Sequence, residues 1–205
     1  MTAPVGRGGR IRSFAAVFPP PPAVEALGGL RSRLESAVPG LRWTAPESLH
    51  FTLRFFGDLD LDAVAQAGTV LDATAARVAP FPLELHGLGV FPGWSRPRVL
   101  WVGSGSGGER LAALARELER GFEAAGLGPA DKPFVPHLTV GRWRDARGLD
   151  RERARSAAAA VDAVAAFTVS AVALMQSRLG PGGARYEALR TARFGSSLDS
   201  PPALP

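Results

Sequence analysis

Leu49-His50-Phe51-Thr52-Leu53-Arg54-Phe55-Phe56-Gly57 is the stretch from which the chain is read. Apolar and aromatic residues dominate it and a glycine closes it, the composition of a β-strand. Side chains on a strand point alternately to its two faces. Simple alternation sets His50, Thr52 and Arg54 on one face and Phe51, Leu53 and Phe55 on the other. The second face suits a core. The first carries an imidazole, a hydroxyl and a guanidinium.

The pattern returns in Pro136-His137-Leu138-Thr139-Val140-Gly141-Arg142, where His137 and Thr139 share a face and Leu138 and Val140 share the other. The chain has only three histidines, and two of them stand in a His-apolar-Thr-apolar context. One such tetrapeptide means little, since a lone strand histidine usually satisfies a backbone partner. Two, far apart in sequence, point to two related halves facing one site. The third, His86, has neither context nor spacing and reads as an exposed strand residue.

At 205 residues the chain is long enough for a substantial core. Its 46% hydrophobic and 21% charged residues are ordinary for a globular protein. No run reaches the ~18 apolar residues of a membrane helix. Met1 to Arg12 lacks a signal-peptide core, and the absence of cysteine excludes disulfides and thiolate metal sites. A cytoplasmic protein is expected. The net charge is +5, and Lys132 is the only lysine. Arginine suits phosphate through its planar fork, although an Ala-, Gly-, Pro- and Arg-rich chain also reflects a GC-rich genome.

In chain order, residues 1–12 read as a flexible basic tail and 13–18 as a strand. A helix follows, with Val24, Leu27, Leu30, Leu34 and Val38 at helical spacing. Residues 41–44 are extended and lead to the first histidine strand. A second helix spans about 61–78, a half-buried strand 81–86, a turn-rich connection 87–93, and a strand 98–102. The Gly/Ser loop 103–108 lacks the Lys-Ser/Thr of a phosphate-binding loop and reads as a linker. A helix over 109–126 precedes the second histidine strand. The Ala-rich stretch 150–166 predicts a helix, and 167–176 and 185–191 predict strands. The result is an α+β protein with two similar lobes about a cleft, over 13–194, followed by a flexible tail at 195–205.

Two histidines from two halves suit in-line displacement at phosphorus. One neutral imidazole takes a proton from water, and the other, protonated, donates to the leaving oxygen. Thr52 and Thr139 are placed to donate to non-bridging oxygens, and Arg142 to neutralise charge. Alternation puts Arg142 on the face opposite His137, so it reaches the phosphate only where the strand bends near Gly141. Arg54, on the His50 face, reads as a further phosphate contact. The tryptophans read as packing or base-stacking residues, and Tyr186 as either a cleft or a packing residue.

The paired motifs resemble the 2H phosphoesterase superfamily, and within it the bacterial and archaeal RNA 2′,3′-cyclic phosphodiesterases once called 2′-5′ RNA ligases. Phe14-Ala15-Ala16, Gly87 to Pro92, Pro97 to Trp101, Ser177-Arg178-Leu179 and Arg185-Tyr186 add to the likeness. The resemblance implies a bilobal fold, each lobe having an antiparallel sheet with helices outside. It implies metal-independent, cofactor-free opening of a 2′,3′-cyclic phosphate to a 2′-phosphate. His50 and His137 are then catalytic, and Thr52, Thr139 and Arg142 hold the phosphate. Phe55 falls where relatives carry an aromatic that meets the nucleoside, although alternation aims it at the core. The acid role is assigned to His50 and the base role to His137, an order the sequence leaves open. The expected partners are RNA or nucleotide 2′,3′-cyclic phosphate ends, with no membrane, and the expected state is a monomer. The alternatives are an RNA-end binding module with little catalysis, 2′-5′ ligation as the main role, or a metal hydrolase built on His50, His86 and His137.

Overall fold

The computed structural model describes residues 9–180 and 183–195. β1 (Ile11–Val17) is followed by α1 (Pro21–Leu34), β2 (Leu41–Trp43), a 3-10 turn at Pro46–Ser48 and β3 (Phe51–Leu59). Then come α2 (Leu61–Ala75), β4 (Phe81–Phe91), β5 (Val99–Ser104), α3 (Gly108–Ala124) and β6 (Leu138–Trp143). α4 (Arg151–Ala159), β7 (Ala163–Val169), β8 (Ala171–Gly180) and β9 (Gly183–Arg193) complete the described chain.

Helix ends follow local chemistry. Asp60 and Asp150 each accept from a backbone N–H three residues on, at 2.9 and 3.0 Å, and so cap α2 and α4. α1 starts on prolines, whose missing N–H costs nothing there. α3 ends in a Schellman turn: Gly126 has φ 80°, and the Leu127 N–H reaches the Phe122 carbonyl at 2.9 Å.

All strand pairs among the described residues are antiparallel, in the order β7-β4-β5-β6-β3-β1-β8-β9, with β2 on β6. The expected two lobes are two halves of this sheet, β7-β4-β5-β6 and β3-β1-β8-β9. They join between β3 and β6 through one residue pair, Phe51 with Leu138, both fully buried. Leu30, Leu71, Leu118 and Phe122 of α1, α2 and α3 bury their stripes in one core with Ala15, Val17 and Leu100 of the sheet. A second, smaller cluster holds Phe14, Ala16, Ala173 and Met175, the alternate residues of β1 and β8, with Phe18 and Tyr186 against it.

Three expectations are corrected. Ile11 and Arg12 belong to β1 rather than to a tail, because they pair with Leu59 and Asp58. Residues 1–8 of that tail lie outside the described residues, as do 196–205, while the Gly195 N–H bonds the Ala75 carbonyl at 3.0 Å. The connection read at 87–93 is mostly strand. β4 runs on to Phe91, and its glycine at 89 makes room for Trp101: a Cβ there would lie 2.1 Å from the indole. The alanine-rich helix stops at Ala159, and 163–169 pairs with β4 instead, an open sheet edge overriding helix propensity.

Candidate active site

His50 and His137 each sit one residue ahead of the Phe51–Leu138 pair. Carrying the antiparallel register one step each way sets His50 opposite Thr139 and Thr52 opposite His137. All four line a single cavity of about 340 Å³ with Arg142 and Phe55.

The two rings are held alike. His50 Nδ1 bonds the Ser48 carbonyl and His137 Nδ1 the Val135 carbonyl, both at 2.7 Å. A carbonyl only accepts, so each Nδ1 carries the hydrogen. Each Nε2 is then left for chemistry, as lone pair or as donor according to charge.

Their surroundings differ. His50 is packed among Phe14 (ring centroids 4.9 Å), Phe18 (5.5 Å) and the edge of Tyr186 (5.2 Å). His137 rests on Phe91 (5.0 Å) and Trp101 (6.3 Å). Burial pushes the His50 pKa below the usual imidazole value. The Ser48 carbonyl opposes this, while the charges of His137 and Arg142 add to it.

Two strand irregularities decide which side chains reach the cleft. On β3, Thr52 pairs with Ala16 and Arg54 with Ala15, so Leu53 is an extra residue. On β6, Thr139 pairs with Trp101 and Gly141 with Leu100, so Val140 is extra. Such a bulge reverses alternation beyond it. Arg142 is thereby turned into the cavity, which resolves the facing problem of simple alternation. Gly141 beside the bulge makes room for Leu41 of β2, since a Cβ there would lie 2.7 Å from that side chain.

The β3 bulge overturns the reading of Arg54. Its side chain goes behind the sheet, is 7% exposed, pairs with Glu119, and donates to the Gly128 and Pro129 carbonyls at 3.1 and 2.9 Å. It ties the 127–130 loop to α3 and does not line the cavity. The same bulge brings Phe55 into the cleft, 42% exposed, contrary to alternation and in accord with the resemblance.

Tyr186 lines the cleft, while the tryptophans do not. Trp143 is buried and donates to the Pro39 carbonyl at 3.2 Å. His86 faces a different cavity, with its Nε2 2.6 Å from Asp162. The three histidines therefore do not converge. No group of three or more His, Asp or Glu able to hold a metal ion occurs among the described residues.

Sequence reasoning missed Arg12, Thr44, Ser48 and Ala184, which also line the cavity. For Arg12 the signal was present: it stands two residues before Phe14, on the same face of β1. Ser48 enters through the 3-10 turn that positions His50, which no local pattern announces.

A cleft with one His-x-Thr pair from each half of an antiparallel sheet defines a two-histidine phosphoesterase architecture. The chain belongs to the 2′-5′ RNA ligase superfamily, whose sequence profile matches residues 12–181. It is 32% identical over 185 residues to a protein of Methanothermobacter thermautotrophicus named RNA 2′,3′-cyclic phosphodiesterase, covering 90% of this chain and 100% of that one. A protein of the same name from Aeropyrum pernix is 33% identical over 174 residues, covering 85% and 98%. Among solved structures, one from Thermus thermophilus superposes with TM-score 0.77 at 27% identity, over 91% of this chain and 100% of that one. Apo LigT of E. coli shares the fold, with TM-score 0.72 at 22% identity over 92% and 100%.

Proposed function

We propose that the protein is an RNA 2′,3′-cyclic phosphodiesterase that opens terminal cyclic phosphates to 2′-phosphates without a metal ion. The observation that carries this is the shared cavity of His50 and His137, each with Nδ1 tied to a carbonyl and Nε2 left for proton transfer. The names of the two relatives above support the same reaction.

In the proposed step, water attacks phosphorus and gives its proton to the neutral imidazole. The P–O3′ bond breaks as the protonated imidazole gives its proton to O3′. One P–O bond forms and one breaks, and the pair ends with its protons exchanged. Thr52 and Thr139 donate to the non-bridging oxygens, and Arg142 balances the charge that develops on them. Phe55 packs against the nucleoside. Each chain supplies both histidines, so a monomer suffices. RNA ends as substrate fit a cytoplasmic location, and no described helix is long and apolar enough to cross a membrane. Ligation reverses related chemistry and is disfavoured by water at high concentration.

One observation favours exchanging the roles assigned from the sequence. The lowered pKa of His50 keeps it neutral in the free protein, which suits the base and leaves the acid to His137. A substrate with sulfur in place of O3′ has a leaving group that needs no acid. It should rescue His137→Ala and not His50→Ala; the opposite pattern returns the acid role to His50.

The direct test offers nucleoside 2′,3′-cyclic phosphates with and without EDTA. Conversion to the 2′-phosphate in both conditions is expected. Loss of turnover on chelation, or binding without turnover, overturns the reading.

A further inference from the structure

Arg12 is the cation of the cleft that the proposed reaction leaves without a role. It stands on the same face of β1 as Phe14, the ring packed on His50, and it lines the cavity that holds both histidines. Its cross-strand partner is Asp58, an obvious mate for a guanidinium. Arg12 is not spent there. Its guanidinium carbon lies 4.5 Å from the centroid of Phe55, and among the described residues it forms no ion pair.

Two other arginines beside it, Arg10 ahead of β1 and Arg54 of β3, are committed elsewhere. Arg10 donates to the Asp58 carbonyl at 2.7 Å, and Arg54 is held by Glu119. Arg142 comes from the other half, through β6. The cleft therefore carries two guanidiniums, one from each half of the sheet, and the proposed reaction uses only Arg142.

On the rule that a guanidinium stacked on an aromatic face keeps its edge N–H groups for a second ligand, Arg12 presents an anion-binding fork beside Phe55. Phe55 is the ring on which the terminal nucleoside packs in the reading above. A nucleoside held there by its 2′,3′-phosphate carries its next phosphate on the 5′ side.

Resting on that reading, we infer that Arg12 forms a second phosphate subsite. It takes the phosphodiester that joins the terminal nucleotide to the one before it. The consequence is a substrate preference: RNA ends of two or more nucleotides over mononucleoside cyclic phosphates.

Binding tests this without turnover. Adenosine 2′,5′-bisphosphate should bind the wild-type chain about tenfold more tightly than adenosine 2′-phosphate, the scale of one charge-assisted contact. Arg12→Gln should remove most of that gap, and Arg12→Lys should keep part of it. In kinetics, the kcat/KM preference for a dinucleotide 2′,3′-cyclic phosphate over its mononucleoside counterpart should collapse in Arg12→Gln by the same factor. Three results overturn the inference: equal binding of the two ligands to the wild type, equal weakening of both in Arg12→Gln, or a loss confined to guanosine ligands. The last would make Arg12 a reader of the guanine edge. If His50→Ala turns over normally, the reading of the cleft fails. The bisphosphate gap still decides whether Arg12 holds a phosphate.

Discussion

The two histidine strands use one plan and differ in the side chain that the plan returns to the cleft. In β3 and β6 alike, the histidine bonds the carbonyl two residues back. A same-facing threonine follows two residues on, and the bulged residue follows at three. Five residues after the histidine, the side chain that the bulge returns to the cleft is Phe55 in one strand and Arg142 in the other. Equivalent backbone thus supplies an apolar ring on one side and a cation on the other. A symmetric frame gives an asymmetric pocket, which an unsymmetrical ligand needs: a base at one end and a charged phosphorus at the other.

The largest expected effect tests the part of the plan that is shared. His50→Ala and His137→Ala should each lower kcat by ~10²–10⁴-fold on a nucleoside 2′,3′-cyclic phosphate. Normal activity in either, measured in a single-turnover assay, breaks the equivalence. The next effects test the position that differs. Arg142→Gln should cost about 10–100-fold in kcat/KM, the worth of a charge-assisted contact. Phe55→Ala should act mainly on KM, by less than tenfold. If the two variants show the same pattern, the assigned division between charge and base is wrong.

Residue four past the histidine offers a contrast of stability against activity. Arg54→Met should leave Glu119 uncompensated and lower the melting temperature by several degrees, for a loss of ~2 kcal/mol. It should do so with little change in KM. A large rise in KM at normal stability would restore Arg54 to the cleft.

The smallest effect concerns the unequal surroundings of the rings. The limb of kcat/KM that reports His50 should lie below pH ~6.5. Arg142→Gln removes a cation that penalises its protonation, so the pKa should rise and the limb move to higher pH. A shift to lower pH would contradict this placement of charge.

What the sequence disclosed, and what it withheld, divides at the same bulges. His50, Thr52, His137 and Thr139 were legible because they precede the irregularity, where a period of two holds. Arg54 was misread because one extra residue reverses every later side chain, while Phe55 and Arg142 reach the cleft against simple alternation, Arg142 through the bend that its place in the site required near Gly141. Leu53 gives no local sign of bulging, whereas Val140 stands beside Gly141; both bulges show in the register against β1 and β5. β7 was hidden for a related reason. Its alanines favour helix on their own, and only the open edge of β4 makes them a strand. The fold class needed only the order of elements, which tolerates such errors.

The seam between the halves is one rung wide, Phe51 against Leu138, with a histidine on each side of it. Twisting the sheet about that rung changes the gap between the imidazoles while the ladders on either side keep their own pairings. The separation of the two imidazoles is thus tied to the relative setting of the half-sheets, because each ring is anchored through Nδ1 to a carbonyl next to its own strand.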